Sequence, residues 1–218
     1  MYYKTFKTIK IRVVFILPLP SFSSMLSRIR TYFRVTNVLD IAGRYFVLNG
    51  FDGLYTMMGV IVGSYVAGHH DPDVVLGTGF AGIVALGVSG SASAYLAERA
   101  MREKELKKLE RSMLVDLGDT LHEDARSFAA LFSSVVNGLS PVLTALIMIS
   151  PFMAARLGLL AVEYAFMYSM LIGGLEIFLV GCYLGKISKS SMISYGVKMI
   201  LVAVVAVILS YIIGSLLG

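Results

Sequence analysis

Asp52 lies in the middle of an apolar, glycine-rich run, 41–67, and has polar company there. Asn49, Asp52, Thr56, Gly59 and Gly63 recur at i, i+3, i+7, i+10 and i+14, a spacing that collects them on one face of a helix. Such a face offers a cation one carboxylate and two neutral oxygen donors, then two glycines beside which a second backbone can come close. Met57 and Met58 add thioethers within two turns, ligands that suit softer metals better than Mg2+ or Ca2+. The chemistry these residue types support is capture and release of a divalent metal, with protons competing for the same carboxylate. The plainer alternative is an interhelical hydrogen bond from Asp52, with the two methionines as apolar filler.

Further acids follow. Glu163 and Glu176 share the run 157–184, yet at helical pitch they stand roughly 140° apart and do not form one pair. Glu176 sits about two turns inside the end of that run, where the stem of Lys186 can reach towards it, and is a proton-carrier candidate. Glu163 lies nearer the other end, within reach of Arg156. Between 98 and 127, Glu98/Arg102 and Glu103/Lys107 are i,i+4 pairs of favourable orientation, the mark of a solvated helix. The same segment also carries acidic rows, Glu98/Glu105 and Glu103/Glu110, and then Asp119, His122 and Glu123 on one face. Glu98, Glu103, Glu105, Glu110, His122 and Glu123 are the candidate metal ligands of this segment.

The elements that hold these groups are set by composition. Of 218 residues 57% are hydrophobic and 15% charged, and the mean hydropathy is +0.78. A soluble domain is nearer 45–50% apolar and about 25% charged, so lipid must solvate the excess. Five stretches reach the roughly 20 residues needed to cross about 30 Å of hydrocarbon: about 41–67, 74–97, 128–153, 157–184 and 193–217. The expectation is an all-α integral membrane protein with five transmembrane helices. Its parts are a basic N-terminal arm (1–40), helices 1 and 2 (41–97), a short charged helical insert (98–127) and helices 3 to 5 (128–218).

Basic residues test that count. Eight precede or include Arg44, none falls in 68–73, seven fall in 98–127, Arg156 is alone, and Lys186, Lys189 and Lys198 close the set. An N-terminus in the cytoplasm and a C-terminus outside put 18 of the 19 on the inner side, as positive-inside topology requires. The net charge of +5 thus answers to membrane orientation and not to nucleic acid. With no Trp, the 12 tyrosines must supply any interfacial aromatic belt.

Other classes fall away. One cysteine, Cys182, excludes a disulfide framework and a cysteine-cluster metal site within one chain. Val13 to Leu17 form a short apolar run broken by Pro18 and Pro20, without a signal-peptide cleavage site, so 1–24 read as a dispensable arm with Met25 as an alternative start. Gly87-Val88-Ser89-Gly90 matches the GxSG pattern of rhomboid proteases, but that chemistry needs a histidine in a later membrane helix, and His69, His70 and His122 all lie elsewhere. With no such base and no cofactor motif, the expectation is that this is not an enzyme. Ser89 to Ala94 read instead as small residues for close helix packing.

The stretch Asn49-Gly50-Phe51-Asp52-Gly53-Leu54 resembles the first-helix Asp-Gly-Leu signature of the vacuolar iron transporter family of iron and manganese transporters. Helix 2 running into Tyr95 and a charged extension follows that family's layout, as do Ser194 to Met199 and Ser210 to Gly214. The resemblance spans about 41–218 and is to a member with a short cytoplasmic insert. It implies a homodimer with its ion path near the subunit interface, export of Fe2+ or Mn2+ from the cytosol in exchange for protons, and Asp52 as the embedded carboxylate. The chain departs from the family where a Met and a Glu usually precede the helix-2 Tyr, which here are Gly90 and Ala94, and where Phe51 replaces the frequent Asn. A prokaryotic cytoplasmic membrane is the expected location. Transport of another cation or a small solute, and a non-transporting membrane scaffold, are the alternatives.

Overall fold

Inside hydrocarbon a backbone must satisfy its own N–H and C=O groups, which confines a non-barrel chain to helices. The computed structural model describes the backbone over 38–113 and 121–217 and the side chains over 42–112 and 127–216. It contains α1 (Val38–Val66), α2 (Pro72–Met113), α3 (Leu121–Arg156), α4 (Val162–Ile187) and α5 (Met192–Leu217), with no strand among the described residues. All five are long and apolar enough to cross a membrane, and the chain is an integral membrane protein.

The charged insert begins as the expected solvated extension of helix 2: α2 runs on past 97 as one helix of 42 residues, about 63 Å at 1.5 Å per residue and twice the hydrocarbon thickness. One boundary differs from the sequence expectation. The fourth span starts at Val162 and not at 157, because Gly158 takes φ 74° and 157–161 form the tight connection from α3. A side chain with a Cβ is rarely found in that left-handed region.

Each helix finds its place through small residues. α1 touches the other four helices, and α3 packs most extensively on α2 and then on α1. α1 and α3 run parallel, with Gly50 facing Ser140 and Thr144. Gly53 sits so close that a Cβ there would lie 2.6 Å from Pro141 Cα and 2.7 Å from Thr144 Oγ1. α2 and α3 meet as tightly: a Cβ on Gly138 would stand 2.6 Å from the Gly87 carbonyl oxygen and collide with Ser91 Oγ. Between these seams Leu54, Met57, Ile61, Met148, Ile149 and Phe152 fill the core. At its far end the Phe152 and Phe166 rings meet edge to face with centroids 4.7 Å apart. α5 is the outlier, with only Gly196 and Ala203 buried among its described side chains.

The bundle has two unlike ends. The start of α1, the charged half of α2, the start of α3 and the α4–α5 connection share one end, which carries Arg44, Arg99, Arg102, Lys186 and Lys189. At the opposite end, marked by His69, the described side chains include a single Lys or Arg, Arg156, whose guanidinium meets the Asp73 carboxylate at 2.8 Å. Arg156 is therefore spent on the start of α2, and the expected reach of Glu163 towards it is not what forms.

The Gly53 seam gives a direct prediction. Gly53→Val pushes two methyl-bearing branches into the Pro141 backbone, an overpacking that costs about 1–3 kcal/mol. In detergent its thermal midpoint falls on the order of 5 °C, whereas Gly174→Ala on α4, with open space around the new Cβ, leaves the midpoint unchanged.

Candidate functional site

Helical periodicity puts Asn49, Asp52, Thr56, Gly59 and Gly63 along one side of α1, and the fold decides what that side meets. Asp52 and Thr56 are exposed on the outside of the single chain. Among the described residues nothing donates a hydrogen bond to the Asp52 carboxylate and no cation pairs with it. Gly63 has nothing within 4 Å of where its Cβ would be, and Gly59 only Ser210 Oγ at 3.7 Å. Further along, Gly59, Gly63, Ala67, His69, Ser210 and Gly214 line an open groove of about 500 Å³ between α1 and α5. The polar face of α1 is thus an uncovered surface in the apolar part of the chain.

Its neighbours go elsewhere. Asn49 turns into the bundle, where its side-chain amide donates to the Tyr45 carbonyl at 3.1 Å and to Asn137 Oδ1 on α3. Asn137 Nδ2 in turn donates to the Gly90 carbonyl on α2 at 2.6 Å, so one amide pair ties three helices together. Met57 and Met58 do not join Asp52 either. Both are buried, and the Met57 sulfur packs against Gly79 on α2. A helix turns about 100° per residue, so positions five and six after Asp52 point well away from it. The thioethers read as candidate ligands are core side chains, and the Asp52 face presents oxygen ligands alone.

Glu176 lies on the inward side of α4 near the same depth. Between the Phe46–Tyr183 and Tyr65–Phe166 ring contacts, with centroids 6.5 and 5.2 Å apart, the antiparallel register sets Glu176 within about one turn of Asp52. The two carboxylates belong to different surfaces, however, and no hydrogen bond joins them. Glu176 Oε2 is buried with no partner, as are Ser169 Oγ on the same helix and Ser133 Oγ on α3. The expected approach of Lys186 does not occur: its side chain is exposed, and no ion pair links it to Glu176 among the described residues.

At the basic end Glu98 is buried and its carboxylate is taken. Arg102 meets Oε2 at 3.1 Å and the Tyr45 hydroxyl donates to Oε1 at 2.9 Å, which bolts α1 to α2. Glu103 receives Lys107 at 2.9 Å. Glu105 is exposed and Glu110 half-buried. The sequence reading of i,i+4 pairs is what forms, and no group of three or more His, Cys, Asp or Glu with metal-binding geometry occurs among the described residues. Asp119 and the side chains of His122 and Glu123 lie outside the described residues.

Sequence reasoning passed over the polar row of α3. Ser133, Asn137, Ser140 and Thr144 fall at i, i+4, i+7 and i+11 and all are buried. Ser140 donates to the Phe46 carbonyl, and Thr144 to the Gly50 carbonyl at 3.1 Å. The signal was present as a polar stripe of helical period inside an apolar run, which in a membrane marks a helix facing other helices.

Comparison with known proteins bears on the same part of the chain. Residues 43–123, from the start of α1 into α3, match the VIT family model. The chain is also 28% identical over 174 residues, 78% of its own length and 87% of the other's, to an uncharacterized protein of Methanocaldococcus jannaschii. No solved structure matches.

The amide pair can be tested independently of any activity. Interhelical hydrogen bonds in membranes are worth about 0.6 kcal/mol on average and up to about 1.7, and Asn137→Leu removes two. Its thermal midpoint drops by a few degrees, while Ser134→Ala, which loses only a bond to Leu131 of its own helix, melts as the parent does.

Proposed function

We propose that this protein, carrying the VIT-family match over 43–123, is a membrane transporter that exports a divalent transition metal, Fe2+ or Mn2+, from the cytosol in exchange for protons, and that it acts as a homodimer. The observation that carries the reading is Asp52: a carboxylate in an apolar membrane helix, within the matched region, exposed on the outside of its own chain. An ionised side chain at mid-membrane costs on the order of 3 kcal/mol on insertion scales. A second copy placed face to face removes Asp52 from lipid, and in a two-fold interface the same face meets itself.

That pairing supplies a mechanism. Two Asp52 carboxylates brought together in low dielectric cannot both stay ionised without a counter-charge. One divalent cation neutralises the pair, and so do two protons. The site therefore exchanges one metal ion for two protons with no net charge moved, provided access alternates between the two sides. Thr56 supplies a neutral oxygen one turn along. Asn49, through Asn137 and Gly90, holds the α1 backbone in place beneath the carboxylate. Glu176, level with Asp52 but inside the protomer, is the proposed proton carrier. Glu105 and Glu110 on the projecting half of α2 draw cations towards the mouth, with Glu98 and Glu103 engaged by Arg102 and Lys107.

The basic end of the bundle faces the cytoplasm in this reading, with the N-terminus inside and the C-terminus outside, because positive charge is retained on that side. The archaeal relative supports a prokaryotic cytoplasmic membrane. A second reading, transport of a harder cation, is favoured by one observation: with Met57 and Met58 in the core, the Asp52 face has the oxygen donors that suit Mg2+ and Mn2+.

Proteoliposome flux separates these. Fe2+ or Mn2+ uptake driven by a pH gradient is expected for the parent and absent for Asp52→Asn, with Glu176→Gln binding metal normally but no longer following the gradient. Uptake of Mg2+ in preference to either metal selects the second reading, and no flux of any divalent ion from folded protein leaves a scaffold. Homodimerisation has its own measurement. In a Cys182→Ser background, Thr56→Cys forms a disulfide-linked dimer under mild oxidation, whereas Leu171→Cys, on the exposed side of α4, does not.

A further inference from the structure

The charged half of α2 carries ten ionic side chains from Glu98 to Arg111, six basic and four acidic, and the tertiary structure sorts them. Glu98 and Glu103 are neutralised by Arg102 and Lys107 one turn away. Lys104, Lys108 and Arg111 stand at i, i+4 and i+7, so they form one stripe. All three are exposed, and no carboxylate pairs with any of them among the described residues. Together with Lys107 and its partner Glu103 they line an open groove of about 660 Å³. On the adjoining side a second groove of about 350 Å³, against Ser127 and Ala130 of α3, is of mixed charge, lined by Arg99, Arg102 and Lys107 together with Glu103 and Glu110.

Depth decides what these grooves meet. The α2–α3 register, with Gly87 beside Val142 and Gly90 beside Asn137, pairs Ser127 with a position close to Met101. Arg126 is the last charged residue before the apolar run of α3, which Ser127 opens. From Met101 to Lys108 is about 10 Å along the helix, against roughly 5–7 Å of headgroup region on each side of the hydrocarbon. Arg99 and Lys104 therefore stand at headgroup level, whereas Lys107, Lys108 and Arg111 continue the stripe roughly 9–15 Å past Met101, with flexible stems that can bend back towards the headgroups. Met101, exposed among the basic positions, adds apolar contact at the hydrocarbon edge. A cluster of four or more Lys and Arg directly beyond a membrane span attracts anionic lipid headgroups.

We propose that the basic stripe Lys104–Lys108–Arg111, with Arg99 and Lys107 beside it, is a docking surface for anionic phospholipid headgroups of the adjoining leaflet. Charge complementarity and position choose this partner: the stripe begins at the height of the lipid phosphates with Lys104 and extends from there into the space just above them. The surface that sequence alone marked as a cation-collecting mouth is, on this side of α2, an anion-binding one. The proposal rests on the membrane-spanning fold and not on metal transport.

The test is native mass spectrometry of the full chain released from vesicles of phosphatidylglycerol and phosphatidylcholine in equal amounts. Wild type is expected to retain phosphatidylglycerol in preference to phosphatidylcholine. Lys104→Gln/Lys108→Gln/Arg111→Gln, all at exposed positions, is expected to lose that preference on the order of tenfold. Glu105→Gln, which removes a competing negative charge, is expected to strengthen it. Raising the salt before release from 0.05 to 0.5 M is expected to weaken wild-type retention, a readout that needs no variant. Equal retention of the two lipids by wild type, an unchanged preference in the triple variant, or retention indifferent to salt would each overturn the proposal.

Discussion

The rest of the bundle depends on how closely α1 can approach α3. In lipid the apolar side chains of two helices gain little by leaving hydrocarbon for each other, so association rests on fit and on hydrogen bonds. Gly50 and Gly53 let the α1 backbone lie against Ser140, Pro141 and Thr144. That closeness brings the Ser140 and Thr144 hydroxyls onto α1 carbonyls and sets Asn49 against Asn137. Pro141 can neither donate a backbone hydrogen bond nor yield to a neighbour, so the seam is rigid as well as tight. α2 then joins through Gly87, Gly90 and Ser91, and α4 through Gly173 beneath Met148.

A consequence of that seam is where it leaves Asp52. Once the Gly50 and Gly53 side of α1 is committed to α3, and Leu54, Met57, Met58 and Ile61 to the core, the carboxylate has only the outside left. A polar group excluded from its own protomer's interior and from water needs another protein surface or a neutralising ion. α5, nearly all apolar and scarcely buried, is by contrast content in lipid. The same fold thus yields one face suited to hydrocarbon and one that hydrocarbon penalises, and the second is the one proposed to pair and to carry the ion.

Charge is arranged as deliberately along the bundle as across it. Arg156 is held by Asp73 at the His69 end, while the remaining described basic residues gather at the other end. Glu98 shows the two functions of a carboxylate there in conflict. Bonded by Arg102 and by Tyr45, it fastens α1 to α2 and gives up its availability to a passing cation. The exposed Lys104, Lys108 and Arg111 give the projecting helix a basic side that starts at headgroup level and runs on beyond it.

By itself the sequence determined the number of spans, their helical nature, the segregation of basic residues and the shared face of Asn49, Asp52 and Thr56. All of these follow from local composition and a 3.6-residue period, which a linear string records. It also held the i,i+4 ion pairs, since their partners are fixed by the helix alone. Only tertiary packing decided that the thioethers of Met57 and Met58 are buried away from Asp52, that Asn49 turns to Asn137, that Arg156 takes Asp73 and not Glu163, and that Glu176 has no cation beside it. Each of those depends on which sides of which helices touch, and in a membrane that is settled by the close approach of small residues such as Gly53 and Gly138, contacts between positions dozens of residues apart that no local pattern specifies.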